Sequence, residues 1–312
     1  MIFSISTMSV NIRAVRDRVN AMSETVSDCP LCNSEHSRLF DRRFFRGIPV
    51  VNRICQDCGL VFQSPRMTEA ESADFYANEY RLFNEGSLDP TARNMAAQYA
   101  RADSLLEFSE PFMQRVTRHL DVGCSMGILL LHSVDKFHCQ PVGIEPGERH
   151  RARASEQGLQ VYASLEELEQ AAAGQFDLIS MAHVLEHLPD PVGYLVHLRE
   201  TLLDPKGWLL LEVPNLYAHD SFEVAHLVSY TAHTLIQTLE KAGFEILKIE
   251  QHGRPRSALL PLYITLLAHP KTASSRFREF RAEKQVHLKR QIGMLRRRIV
   301  EKVLPGRAWL KE

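Results

Sequence analysis

An α/β fold built on a doubly wound, mostly parallel sheet is what this sequence predicts, and three observations predict it. Short apolar strands alternate with amphipathic stretches from about residue 115 to 270. A turn of small residues follows the first of these strands, and an acidic residue ends the second. Two Cys-x-x-Cys pairs, set apart near the N-terminus, mark a small module outside the sheet.

The expected strands are Val116–Val122, Pro141–Glu145, Gln160–Tyr162, Phe176–Ser180, Gly207–Val213, Phe244–Gln251 and Leu259–Ala268. Helical stretches such as Gly147–Glu156 and Val192–Leu203 fall between most of them. Such alternation specifies a parallel sheet covered on both faces. Ligands then bind beyond the carboxyl ends of the strands, where the strand order reverses. Residues 1–27 read as a disordered leader, with Met8 or Met22 as alternative starts. Residues 28–66 form a ribbon, 67–114 a helical connector or lid, 115–270 the main domain and 271–312 a basic helical tail.

The 312 residues are 45% hydrophobic and 24% charged, as in ordinary globular proteins. No run approaches the ~18 apolar residues of a membrane span, and Met1–Ser9 is too short for a secretory core. The expectation is therefore cytoplasmic. Net charge is −1, but from Lys271 onward there are 13 Lys/Arg against four Glu, a balance of +9. The remainder carries −10, which argues against a body that coats nucleic-acid phosphates.

Cys29-Pro-Leu-Cys32 and Cys55-Gln-Asp-Cys58 are separated by 22 residues. Each pair forms a knuckle, and two knuckles supply the four thiolates of a tetrahedral zinc site, at roughly 2.3 Å each. Arg38–Phe45 and Pro49–Ile54 alternate enough to be the strands of the ribbon between them. Four sulfurs leave no open coordination position, so the expected metal is structural Zn²⁺.

The first main-domain strand ends in Leu120-Asp121-Val122-Gly123-Cys124-Ser125-Met126-Gly127. Small residues at 123, 125 and 127 allow a tight turn and close approach of the backbone to a ligand. About 20 residues later Glu145 ends the second strand, where a carboxylate accepts hydrogen bonds from the ribose of an adenosyl group. Turn and acid together fit dinucleotide enzymes and methyltransferases alike.

The run from Phe176 to Pro191, FDLISMAHVLEHLPDP, resembles the fourth-strand segment of class I S-adenosylmethionine-dependent methyltransferases, whose fold is Rossmann-like with seven strands. Leu202–Trp208 and Leu239–Phe244 resemble the segments before strands five and six of that family. The resemblance implies S-adenosyl-L-methionine as the cofactor. Asp121, Gly123, Ser125 and Gly127 would surround its methionine part, Glu145 its ribose, and Ala182 and His183 would line the pocket.

The ribbon's exit, Cys55-x-x-Cys58-Gly-Leu-Val-Phe followed by Pro65-Arg66, Tyr76 and Tyr80, resembles zinc-containing methyltransferases of sugar and surface-glycan pathways. There Tyr76 and Tyr80 would lie over the cleft. Thr68 with Glu71 is a capping box, which predicts a helix start.

Methyl transfer is an in-line displacement, so the protein aligns the acceptor and, for oxygen or carbon, removes a proton. Histidine suits that task near neutral pH. The expected base is His226, in a segment that caps the acceptor site of the family, and then His183 at the end of the fourth strand. His187 reads as a packing group. No Asn/Asp-Pro-Pro-aromatic motif is present, which disfavours methylation of a nucleic-acid amine.

In the tail, Phe277, Phe280, Leu288, Ile292, Leu295, Ile299 and Val303 recur at mostly helical spacing among cations, ending at Pro305-Gly306. This basic amphipathic helix suits the inner membrane surface, a dimer contact or the chain's own acidic body. The leading functional reading is methylation, on oxygen or carbon, of a small sugar-containing acceptor. The alternatives are an rRNA methyltransferase gripping RNA through Arg42, Arg43, Phe44 and Phe45, and a catalytically vestigial interaction protein.

Overall fold

The computed structural model describes residues 24–85, 89, 91–113, 115–271 and 279–310. Most of the expected leader, and Phe277 of the expected tail helix, lie outside these residues. Residues 24–27 are tied to the body: Glu24 bridges Arg66, and the Val26 amide donates to Ser64 at 3.1 Å.

The chain opens with a hairpin, β1 (Ser37–Phe45) and β2 (Ile48–Cys55), and a short β3 (Val61–Gln63). Helices α1 (Glu69–Asn78), α2 (Tyr80–Glu85) and α3 (Ala92–Ser109) follow. Thr68 and Glu71 form the reciprocal cap of α1 that the sequence predicts. The alternating region then supplies β4 (Arg118–Val122), α4 (Ile128–Phe137), β5 (Gln140–Ile144), α5 (Glu148–Glu156), β6 (Gln160–Tyr162) and α6 (Leu165–Gln170). Next come β7 (Phe176–Ala182), α7 (Pro191–His197), β8 (Leu203–Pro214), β9 (Val228–Ser229), α8 (Ala232–Lys241), β10 (Phe244–His252) and β11 (Tyr263–Pro270). The tail contributes α9 (Val286–Val303) and one turn, α10 (Pro305–Ala308).

The seven-stranded sheet runs β10-β11-β8-β7-β4-β5-β6. Strands β4 to β8 are parallel, and β11 is antiparallel to both β8 and β10. The order reverses at β4, between β5 and β7, which is where a doubly wound sheet opens its ligand crevice.

Strand β8 starts at Leu203, four residues before the expected Gly207, and two further boundaries differ for identifiable reasons. The last strand begins at Tyr263 rather than Leu259, because Leu260 and Leu262 pack against Ala308 of α10 instead of joining the sheet. The tail helix begins at Val286, and Phe280 packs on the main core ahead of it.

The ribbon is not a separate lobe. Its sheet is completed by β9, which pairs with β3 and comes from the chain between β8 and α8. Cys29, Cys58, Leu60 and Phe62 belong to the same buried cluster as Ile179, Leu211 and Tyr230. Among the described residues no helix is long and apolar enough to cross a membrane.

Candidate functional site

A cleft of about 480 Å³ opens at the carboxyl ends of β4, β5 and β7. Between Asp121 and Ile128 the chain must turn from a buried strand into a helix that starts at once. It does so with left-handed backbone at Gly123, Ser125 and Gly127 (φ 77°, 51° and 76°). A non-glycine residue held at positive φ stores strain that recurs at ligand sites. Gly123, Ser125, Asp121, Glu145, Ala182 and His183 all line the cleft. Gly127 does not. It closes the turn from beneath, where a Cβ would stand 2.1 Å from Leu159, so its role is to let α4 pack close.

The Glu145 carboxylate is buried and accepts backbone N–H bonds from Ser125 and Gly147, each at 2.9 Å. Arg81, reaching over from α2, stands 3.8 Å from the same carboxylate and 3.3 Å from the Ser125 hydroxyl. Asp121 is buried too, with a 2.6 Å bond from Ser180. Burial, aided by the nearby Glu145, pushes its carboxyl up to about 7 despite that bond. Behind Ser180 stands His119, fully enclosed and held down to about 3 by burial.

The other end of the cleft is a set of imidazoles, tyrosines and carboxylates. Tyr76, Tyr80 and His187 line it, and the Tyr76 and Tyr80 rings lie 4.8 Å apart. The Tyr76 hydroxyl contacts His187 Nδ1, which donates to the Ala225 carbonyl at 2.9 Å. Burial, reinforced by neighbouring His226, lowers His187 to about 4, so its ring is neutral near pH 7.

His226, the base expected from sequence, does not line the cleft. Its ring lies behind His187 at 4.8 Å and pairs with Glu223 at 3.0 Å. Burial alone would lower its pKa, but Glu223 raises it. His183 does reach the cleft, at positive φ, with its two ring nitrogens facing Glu186 (3.3 Å) and Glu212 (3.2 Å). Burial works against both carboxylates, yet the His183 contact and further cations hold each down to about 2.

Several of these groups escape sequence reasoning. His187 packs against Tyr76, Tyr80 and His226 as expected, but it also lines the cleft. Glu212, paired with Arg101 at 2.8 Å, lies inside the apolar run of β8. A carboxylate within a buried strand is itself the signal that could have found it. Arg81 and Glu223 carry no such mark, because their positions depend on how α2 and the β8–β9 connection fold over the sheet.

The four knuckle cysteines converge. Their sulfurs all lie within 4.8 Å of one another, with Cys29–Cys58 and Cys32–Cys55 at 3.5 Å. An ideal sulfur tetrahedron about 2.3 Å from zinc has edges of about 3.8 Å, so the set fits that ion. Hydrogen bonding among the sulfurs holds Cys58 and Cys29 up and draws Cys55 and Cys32 down. The knuckle is braced from the body by Gln237, which donates to the Cys58 carbonyl at 3.3 Å.

Comparison with known proteins agrees with this architecture. The chain is 33% identical over 141 residues to the ubiquinone biosynthesis O-methyltransferase of Dinoroseobacter shibae, covering 43% of this chain and 54% of that protein. It is 32% identical over 138 residues to the enzyme of that name from Cereibacter sphaeroides, covering 42% and 53%. The chain thus spans about half the length of the curated relatives it matches. Among solved structures, Burkholderia thailandensis 1,6-didemethyltoxoflavin-N1-methyltransferase superposes with a TM-score of 0.53 at 18% identity, over 68% of this chain and 96% of that one. The cyclase SpnF does so at 0.50 and 18%, over 67% and 98%. These two likenesses speak to fold, which hosts more than one chemistry. A family profile described as a methyltransferase domain matches residues 92–249, half of the sequence, and spans the turn, Glu145 and the histidines that follow β7. The chain belongs to the methyltransferase-domain family.

Proposed function

We propose that this protein transfers a methyl group from S-adenosyl-L-methionine to a small acceptor, a sugar, nucleotide-sugar or surface-glycan intermediate. The observation that carries the cofactor half is Glu145. Its buried carboxylate, fixed by two backbone donors beside a turn with three positive-φ residues, faces the cleft with lone pairs to spare for ribose hydroxyls. Asp121 and Ser125 flank the methionine end. The relatives named as O-methyltransferases favour oxygen as the acceptor atom.

The acceptor half rests on the tyrosine–histidine end of the cleft. Polar rings that both stack and hydrogen-bond suit a hydroxylated acceptor. His187 is neutral near pH 7 and reaches the cleft, so it takes the acceptor's proton, with Tyr76 beside it. The His226–Glu223 pair supports its ring from behind. Four cysteines hold structural zinc, whose chemistry is to fix the ribbon beneath this end of the body.

The test is incubation of purified protein with methyl-labelled cofactor and candidate nucleotide-sugars, read by mass spectrometry. Label should appear on a sugar hydroxyl, and His187→Ala should lower turnover at least about tenfold, in the range of a lost proton acceptor. His226→Ala should do so less. Both variants should keep cofactor affinity; loss of binding instead would assign these rings a structural role. Label on RNA but not on sugars would replace the acceptor assignment.

A further inference from the structure

Helix α9 has two faces in unlike surroundings. Its inner face is seated. Arg290 is buried, donates to the Leu216 and His219 carbonyls and pairs with Asp220 at 3.4 Å. Arg297 donates to the Ala218 carbonyl at 3.2 Å and pairs with Glu301 at 2.9 Å. A Cβ on Gly293 would stand 1.9 Å from the Tyr217 carbonyl oxygen, so the helix backbone lies directly on the body there. These contacts fix the roll of the helix about its axis.

The outer face is bare. Leu288, Ile292, Leu295, Ile299 and Val303 are 49–65% exposed. Steps of four, three, four and four residues, at about 3.6 per turn, place them in one stripe opposite Gly293 and Arg297. Lys289 and Arg296 flank the stripe on one side, Arg298 and Lys302 on the other, and all four are exposed. The one acid of α9, Glu301, is half-buried against Arg297.

We infer that this stripe rests on a bilayer surface carrying anionic headgroups. Aliphatic side chains bounded on both sides by cations are the distribution of a helix lying in the plane of a membrane interface. A second copy of the chain laid on the stripe would bring its cations against these, with no exposed acid on the helix to offset them. A membrane contact of this kind is independent of the methyl-transfer reading.

Co-sedimentation of the full, zinc-loaded chain with vesicles tests it. Vesicles of phosphatidylcholine mixed with phosphatidylglycerol should bind at least about tenfold more tightly than phosphatidylcholine alone, and added salt should erode the difference. The double variant Leu295→Glu/Ile299→Glu should lose binding to both, and Arg298→Glu/Lys302→Glu, at exposed cations on the other flank of the stripe, should lose the anionic preference. Both should keep the wild-type circular dichroism spectrum and melting temperature, since they touch only the bare face. Equal binding with and without phosphatidylglycerol, or none to either, overturns the inference. So does a light-scattering dimer that Ile299→Glu dissociates, or an acidic protein that captures the stripe while vesicles do not. The assay contains no cofactor, so failure of methyl transfer would leave its result intact.

Discussion

Asp121 and Glu145 stand at the ends of adjacent strands, β4 and β5, in very different surroundings. Glu145 accepts two backbone N–H bonds, whereas Asp121 has one hydroxyl donor and is pushed up to about 7 by burial. Its raised pKa means that the native protein holds this proton from about pH 4 to 7, and releases it above. Only the released form attracts a sulfonium cation. Affinity for S-adenosylmethionine, relative to uncharged S-adenosylhomocysteine, should therefore rise as pH increases through 7. Calorimetry across pH 6 to 8 checks this, and Asp121→Asn should flatten the ratio. A ratio that falls with pH would place the sulfonium away from Asp121. Both acids were legible in the sequence, because strand ends and small-residue turns are local patterns. Which histidine faces the cleft was not, because whether it is His187 or His226 depends on a connection, residues 215–231, that crosses over from another part of the sheet.

At the scale of elements, the sequence periods locate nearly every strand, since alternation and capping are short-range. Thr68 with Glu71 marks the start of α1, and β6 falls where its apolar residues put it. The failures have long-range causes. Leu260 and Leu262 read as strand because they are apolar, yet their burial comes from α10, some 45 residues away. The ribbon's fourth strand is two residues long, too short to carry a pattern. Its pairing with β3 ties the knuckle to the body, and this coupling has a consequence. Cys58→Ser removes a fully buried sulfur from a cluster shared with the core, so it should lower the melting temperature of the whole chain in one transition. Differential scanning calorimetry, with zinc content measured on the same sample, checks this. A variant that loses zinc but melts as the wild type does would mean that the ribbon is an independent appendage.

Across the whole molecule, one sheet does two jobs. Its reversal point at β4 opens the cleft, and the connection leaving β8 at Pro214 both lends a strand to the ribbon and brings Glu223 and His226 behind His187. The cysteine module is therefore tied to the tyrosine–histidine end of the cleft, while the small-residue turn shapes the other end. The charge imbalance seen in the sequence has a place as well: its cations line a helix whose bare stripe faces away from the body.

In the function proposed above, the cleft at the carboxyl ends of β4 and β5 grips an adenosyl sulfonium compound through Glu145. Isothermal titration of the zinc-loaded chain with S-adenosylmethionine, beside Glu145→Ala, tests it most directly. One site per chain is expected, with at least about a tenfold weaker dissociation constant in the variant, the order expected for charge-assisted hydrogen bonds lost to a ribose. Absence of binding to the folded protein, or equal affinity in the two proteins, would contradict it.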